Sequence, residues 1–283
     1  HQGECQSILS IREQSIVMMF LRLLSGLNLP ELYEKAQDGF WLMNSMLLQT
    51  AVFELYSMDT VRALCQKNSK LYFKGIVMNF VNHWFLGVPC YAICTSFFLK
   101  SKRAEDQDFK FEEVIRWYCQ LFFHVLYILL IHSVCFYEVH KIFHTYPKLY
   151  KWHKFHHLFN SHVPPSSANA VSTVEYFFGY LCPFLVATLL IPSLTETALY
   201  ASVLIGGVFN VAMHTPVLEK FYAKYAPNWL VGTGDHLEHH KRLQCHYAAP
   251  TFNVDYIVEQ VGEAWDAIGL RADKGTVMTR RTC

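Results

Sequence analysis

From Ile76 through Leu99 the chain carries no Lys, Arg, Asp or Glu. A charge-free run that reaches the roughly 20 residues needed to cross a hydrocarbon core restricts the backbone severely. In lipid every N–H and C=O must bond within its own segment, so the run reads as a membrane-spanning helix, over Gly75 to Leu99. Tyr118 to Val139 is a second candidate, apolar apart from residues such as His124, His132 and Glu138. Tyr176 to Val208 is long enough for a re-entrant or paired helical hairpin around Pro192. Two weaker stretches, Ile16 to Leu27 and Phe40 to Tyr56, are interrupted by Arg22 or polar residues and fit interfacial or tilted helices. With 52% hydrophobic and 16% aromatic residues, the chain is too apolar for an ordinary soluble domain.

The expected fold is therefore an all-α integral membrane protein of about four transmembrane or re-entrant helices under a histidine-rich helical cap, built from residues 140 to 175 and 210 to 283. Residues 1–70 form an unassigned N-terminal region and 71–283 the membrane-embedded domain. Basic residues collect beside apolar segments, at Lys100 to Arg103, Lys141 to Lys154 and Lys241-Arg242, which places them and the cap in the cytosol. Lys plus Arg (24) balance Asp plus Glu (23), so no charge excess points to nucleic acid. The cysteines sit mostly in apolar runs without a C-x-x-C pair and read as reduced thiols.

Nine of the fifteen histidines fall in four places: His140-x3-His144, His153-x2-His156-His157, His214 and His236-x2-His239-His240. At this histidine content about 0.04 H-x-x-H-H triplets are expected by chance, so two of them mark a purpose. On a helix His140 and His144 share a face, with Cβ atoms about 5–6 Å apart. Within a triplet the adjacent pair diverges by about 100°, so one triplet can serve two metals. The pattern suggests a dinuclear site of neutral imidazoles, suited to Fe, Zn or Cu, with coordination positions left for O2 or water. Geometry alone does not choose among these metals.

Asp235, Glu238, Glu175 and Asp255 are candidate acceptors for the second imidazole N–H of a metal-bound histidine. His162 and His246, just beyond the two triplets, could support the site or join it. His83, His124 and His132 lie within apolar helices, where a hydrogen-bonded structural or substrate-channel role is expected instead of ligation. A hydrolytic zinc enzyme would need a positioned base such as that of H-E-x-x-H, which does not occur. A non-catalytic metal-binding membrane protein is the alternative of another class.

Taken in order, H-x3-H, H-x2-H-H and H-x2-H-H after apolar helices resemble the fatty acid hydroxylase/sterol desaturase superfamily over about residues 115 to 262. His140 to His157, with Tyr146-Pro-Lys-Leu-Tyr150 between, is similar to the sterol C4-methyl oxidase type. The resemblance implies metal ligands at His140, His144, His153, His156, His157, His236, His239 and His240, with His214 and Asn210 on a further ligand-bearing segment. It further implies two Fe ions, for which Zn could substitute in a purified sample. O2 would oxidise a lipid C–H bond, with electrons from an NAD(P)H reductase through cytochrome b5 or a similar separate carrier. A sterol-like substrate is favoured over fatty acyl, ceramide or glyceryl-ether lipid, and the expected location is the endoplasmic reticulum membrane.

Overall fold

The computed structural model describes residues 28–99, 111–191 and 193–267. The weaker stretch Ile16 to Leu27 and the basic cluster at Lys100 to Arg103 lie outside them. The described residues form nine α-helices, with no strand beyond one isolated bridge between Leu230 and Phe252. They are α1 (Leu29–Tyr56), α2 (Met58–Phe98), α3 (Phe111–Thr145), α4 (Pro147–His153), α5 (Thr173–Leu190), α6 (Glu196–Met213), α7 (Glu219–Tyr225), α8 (Thr233–Arg242) and α9 (Val254–Ala267).

Four of these, α2, α3, α5 and α6, are long and apolar enough to cross a membrane, which makes the chain an integral membrane protein. The apolar stretch Tyr176 to Val208 is indeed divided between two antiparallel-capable helices, α5 and α6. α2 begins well before Gly75, because polar residues 58–74 continue the helix without continuing the apolar run. Its backbone breaks once, at Asn68 (φ −157°, ψ 78°), whose Oδ1 accepts the Leu71 N–H and so restarts the helix as an N-cap does. α3 has 35 residues and is thus about 52 Å long, well beyond a hydrocarbon core of about 30 Å. Its His140 and His144 end can accordingly stand clear of the lipid layer. Phe111, Ile115, Phe122, Phe123, Leu126 and Leu130 leave the other part of α3 with an exposed apolar surface, as a lipid-facing helix requires.

The core unites α1 with the spanning helices. Leu42, Met43 and Met46 of α1 pack with Tyr91, Ile128, Ala187, Leu199 and Val203. At the end remote from the histidines, Lys35 Nζ lies 2.5 Å from Glu196 Oε2 and Tyr91 donates its hydroxyl to Glu196 Oε1 at 3.1 Å. Cys65, Cys90, Cys94, Cys119, Cys135 and Cys182 are free thiols, as expected.

Residues 163–171 form a buried connection, and a buried loop must find partners for its backbone. Asparagine amides from two spanning helices supply them. Asn79 Nδ2 donates to the Ser166 carbonyl at 2.7 Å, and Asn82 Nδ2 donates to those of Asn169 and Val171. Asn210 Nδ2 donates to Asn169 Oδ1 at 3.2 Å, and the Tyr180 hydroxyl to the Ala168 carbonyl at 3.0 Å. A Cβ on Gly75 would come within 2.9 Å of the Phe159 ring, so glycine is what lets α2 approach this connection.

Candidate metal centre

Each histidine segment reaches the site from a different element. α3 delivers His140 and His144 one turn apart. α4 starts at Pro147, preceded by the extended Tyr146, and ends at His153. The chain stays helical in φ and ψ through Lys154 and Phe155 into a short 3-10 turn, His156–Leu158, so the first triplet keeps helical spacing across two elements. His214 is the C-terminal cap of α6, and the second triplet lies wholly within α8.

All nine histidines converge, and they converge as two sets. His140, His144, His153, His157 and His239 offer ligand atoms within 4.8 Å of one another, and so do His156, His214, His236 and His240. Each triplet is split: positions one and five of a triplet enter one set and position four the other, as the 100° divergence of adjacent helical residues dictates. In the first set the Nε2 atoms of His153 and His157 are 2.7 Å apart, those of His140 and His153 3.0 Å, and those of His144 and His157 3.1 Å. In the second, His236 and His214 are 2.8 Å apart, His240 and His236 3.2 Å, and His214 and His156 3.4 Å. Two imidazole nitrogens bound to one ion at about 2.1 Å would stand about 3.0–3.4 Å apart at octahedral or tetrahedral angles. The sets abut, with the His157 and His240 rings 5.0 Å apart between centroids.

The donor chemistry fits a metal. A neutral imidazole has one donor and one acceptor nitrogen, so several rings facing inward cannot satisfy one another. His239 Nε2 is buried without a hydrogen-bond partner among the described residues, which a bound cation would supply. Burial drives the pKa values of His153, His156, His157, His236, His239 and His240 well below the ordinary histidine range, and neighbouring rings add to the effect for each. His214 is pushed down to about 4, also by burial. Neutral imidazole is the ligating form.

Four rings are fixed from behind through Nδ1, which leaves Nε2 to point inward. His153 bonds Glu175 Oε1 at 2.6 Å, while His140, His214 and His239 bond the backbone carbonyls of Tyr247, Asn210 and Cys245 at 2.8, 2.7 and 2.6 Å. Glu175 is 3% exposed, and its own backbone N–H is capped by Ser172 Oγ. The carbonyls of Cys245 and Tyr247 are presented by a turn in which Leu243 (φ 64°) and His246 (φ 54°) take left-handed backbone conformations.

Other expected supporting residues stand elsewhere. Neither His162 nor His246 joins a set: His162 is bonded to Ser161, and His246 shapes the turn. Glu238 pairs with Arg242 and Lys241 on the outer face of α8, because one helical position separates it from the inward histidines. The Asp235 carboxylate turns back toward Gly232, and Asp255 accepts the Ala248 N–H at 2.6 Å, holding the turn instead of a ring. Asn210 contributes its carbonyl to His214, while its amide is engaged by Asn169.

Helices long enough to span a membrane, capped by two abutting sets of buried imidazoles, define a membrane protein able to hold a pair of metal ions. Residues 125–260 match the fatty acid hydroxylase family, which covers every clustered histidine. The match is consistent with the fatty acid hydroxylase/sterol desaturase superfamily and implies an oxidoreductase. Comparison with curated proteins and with solved structures finds no match.

Proposed function

We propose that the chain is a di-iron oxygenase that oxidises a C–H position of a membrane lipid, with a sterol-like substrate favoured. For hydroxylation, R–H, O2, NAD(P)H and a proton become R–OH, water and NAD(P)+; desaturation of the lipid or further oxidation are variants of the same electron flow. His140, His144, His153, His157 and His239 would hold one iron, and His156, His214, His236 and His240 the other. Iron bound there supplies the redox chemistry for O2 that no side chain offers.

One observation carries the reading. A cavity of about 280 Å³ lies among the spanning helices, and its lining includes Asn169, Pro250 and Asn210, the last one helical turn before His214. Leu199, Val203, Gly206, Gly207 and Asn210 line it along one face of α6, a length of about 17 Å from first to last. The lining is overwhelmingly apolar, which suits a lipid and excludes water from the reacting carbon. Tyr176 and Tyr180, stacked on each other with centroids 5.5 Å apart, are among its aromatic lining residues. Ile93 and Phe98 line the cavity and are also 47% and 44% exposed on the outer surface, which supports entry from the bilayer.

Electrons would arrive from the cap side. Lys148, Lys151 and Lys154 are exposed around α4, next to the first histidine set, and would attract an acidic carrier such as cytochrome b5. On this reading the cap would face the cytosol and the protein would reside in the endoplasmic reticulum membrane. The test is oxidation of a sterol and fatty-lipid panel, followed by mass spectrometry, in membranes bearing the chain with a reductase and cytochrome b5. A mass gain of one oxygen or loss of two hydrogens, dependent on both O2 and NAD(P)H, is expected; an unchanged panel with iron-loaded protein would refute the reading.

A further inference from the structure

Every spanning helix bears exposed apolar side chains, and lipid covers them. One apolar face in the cap has no such cover. Val217, Phe221, Tyr225 and Trp229 recur every four residues and are each between 48% and 63% exposed. Phe221 and Tyr225 stand one turn apart on α7, with ring centroids 5.2 Å from each other. Lys220 and Lys224 are exposed beside them, and Lys224 Nζ lies 5.0 Å from the Tyr225 ring centroid. The rest of α7 is occupied. The helix packs on α8, and Glu219 turns to Gly234 there, where an added Cβ would meet the Glu219 Cγ at 3.6 Å. The charge left on the outward side is therefore basic.

The position of α7 in the chain says what covers this face. α6 has 18 residues, about 27 Å, which is close to a hydrocarbon core of about 30 Å, and it ends at Met213. Val217 follows four residues later, so α7 starts at the bilayer surface. Tyr and Trp at headgroup depth, with lysines reaching to the phosphates, are the composition of a helix that lies in that surface.

We propose that α7 rests on the bilayer from which α6 has just emerged. Val217, Phe221, Tyr225 and Trp229 sit at the boundary of headgroups and acyl chains, and Lys220 and Lys224 bind the phosphates of anionic lipids. The inference goes beyond the oxygenase reading and does not depend on it. Because α7 packs on α8, this contact also holds His236, His239 and His240 at a fixed height above the lipid.

The test places a benzophenone-bearing phenylalanine at position 221, 225 or 223 of the full, metal-loaded chain in nanodiscs of equal parts phosphatidylcholine and phosphatidylserine. Ala223 is exposed as well, but two helical positions carry it to the other side of α7 from Phe221. Mass spectrometry after irradiation identifies what is attached. Lipid adducts are expected at 221 and 225 at about tenfold the yield at 223, with metal content equal in the three variants. Position 225 alone decides if the substitution at 221 costs metal. Phosphatidylserine should exceed its share of the disc among the adducts, and Lys220→Glu/Lys224→Glu should remove that excess. Equal yields at all three positions, adducts to another protein chain in place of lipid, or adducts that mirror the lipid mixture with both lysines present would overturn the proposal.

Discussion

His153 Nδ1 and Glu175 Oε1 are 2.6 Å apart, both buried, and 22 residues separate them in the chain. The contact links α4 to the first turn of α5, so a membrane-spanning helix fixes the orientation of a histidine in the cap. Since the imidazole donates through Nδ1, its Nε2 is left as the free acceptor that meets His140 and His157. A carboxylate behind a ligating ring also raises its basicity.

Glu175→Ala removes that acceptor without touching an inward-facing nitrogen. Metal affinity at the five-histidine set should fall about 10–100-fold, with the four-histidine set much less affected. Chelator competition on the purified variant reads both sites, and two wild-type affinities would contradict the role given to Glu175.

Replacing His153, His157, His236 or His240 by Ala should abolish lipid oxidation, since each supplies a nitrogen to one of the two sets. None of these side chains belongs to a spanning helix, so membrane insertion should persist. Activity assays paired with carbonate extraction of membranes check both halves; retained activity in most of the four variants would remove the site.

His246→Gly separates a turn-former from a ligand. Relief of the left-handed conformation at φ 54° offsets the added flexibility of glycine, leaving stability within about 1 kcal/mol of wild type. Metal content should be unchanged. Loss of one metal equivalent would mean that the ring of His246 ligates.

Gly206 lines the cavity, and a Cβ there would meet Leu129 and Phe184 at 3.6 and 3.9 Å, which is ordinary contact. Gly206→Ala should thus be tolerated, while Gly206→Leu should fill the lipid space and raise KM about tenfold or more at unchanged metal content. Equal KM for the leucine variant would place the substrate elsewhere.

Acidification should destabilise the metal-free protein. The clustered histidines outside the spanning helices have folded-state pKa values below the unfolded value of about 6.5, so below that pH the unfolded chain binds more protons. Their contribution is whole above about pH 6.5 and is lost as pH falls toward the folded values, about 4 for His214. Thermal unfolding in chelator at about pH 7.5 and about pH 5 should show the lower Tm at the acidic value. Metal should dissociate over the same window, because protons compete for the same nitrogens. A Tm independent of pH would contradict the buried neutral histidines.

The nine histidines were legible in the sequence because ligand spacing and helical periodicity coincide: a residue three or four positions on returns to the same side of the helix. Apolar runs revealed the spanning helices for the same local reason, but not the start of α2, where helix outlasts hydrophobicity. The supports were harder to read. Three of the four acceptors are backbone carbonyls, of Asn210, Cys245 and Tyr247, and any residue type carries one. Glu175 was one of four plausible carboxylates, and only the packing of α4 on α5 distinguishes it from Glu238, which faces solvent one position away from the ligand face. The cavity depends on contacts among α2, α3, α5 and α6 that no local pattern encodes.

The most direct test is the ratio of bound transition metal to protein in the full chain purified from iron-replete membranes, for wild type and for the double variant His157→Ala/His240→Ala. Two separate histidine sets predict about two ions per wild-type chain and near zero in the double variant. No bound metal in wild type, or a ratio that the double variant leaves unchanged, would contradict the dinuclear centre on which the account rests.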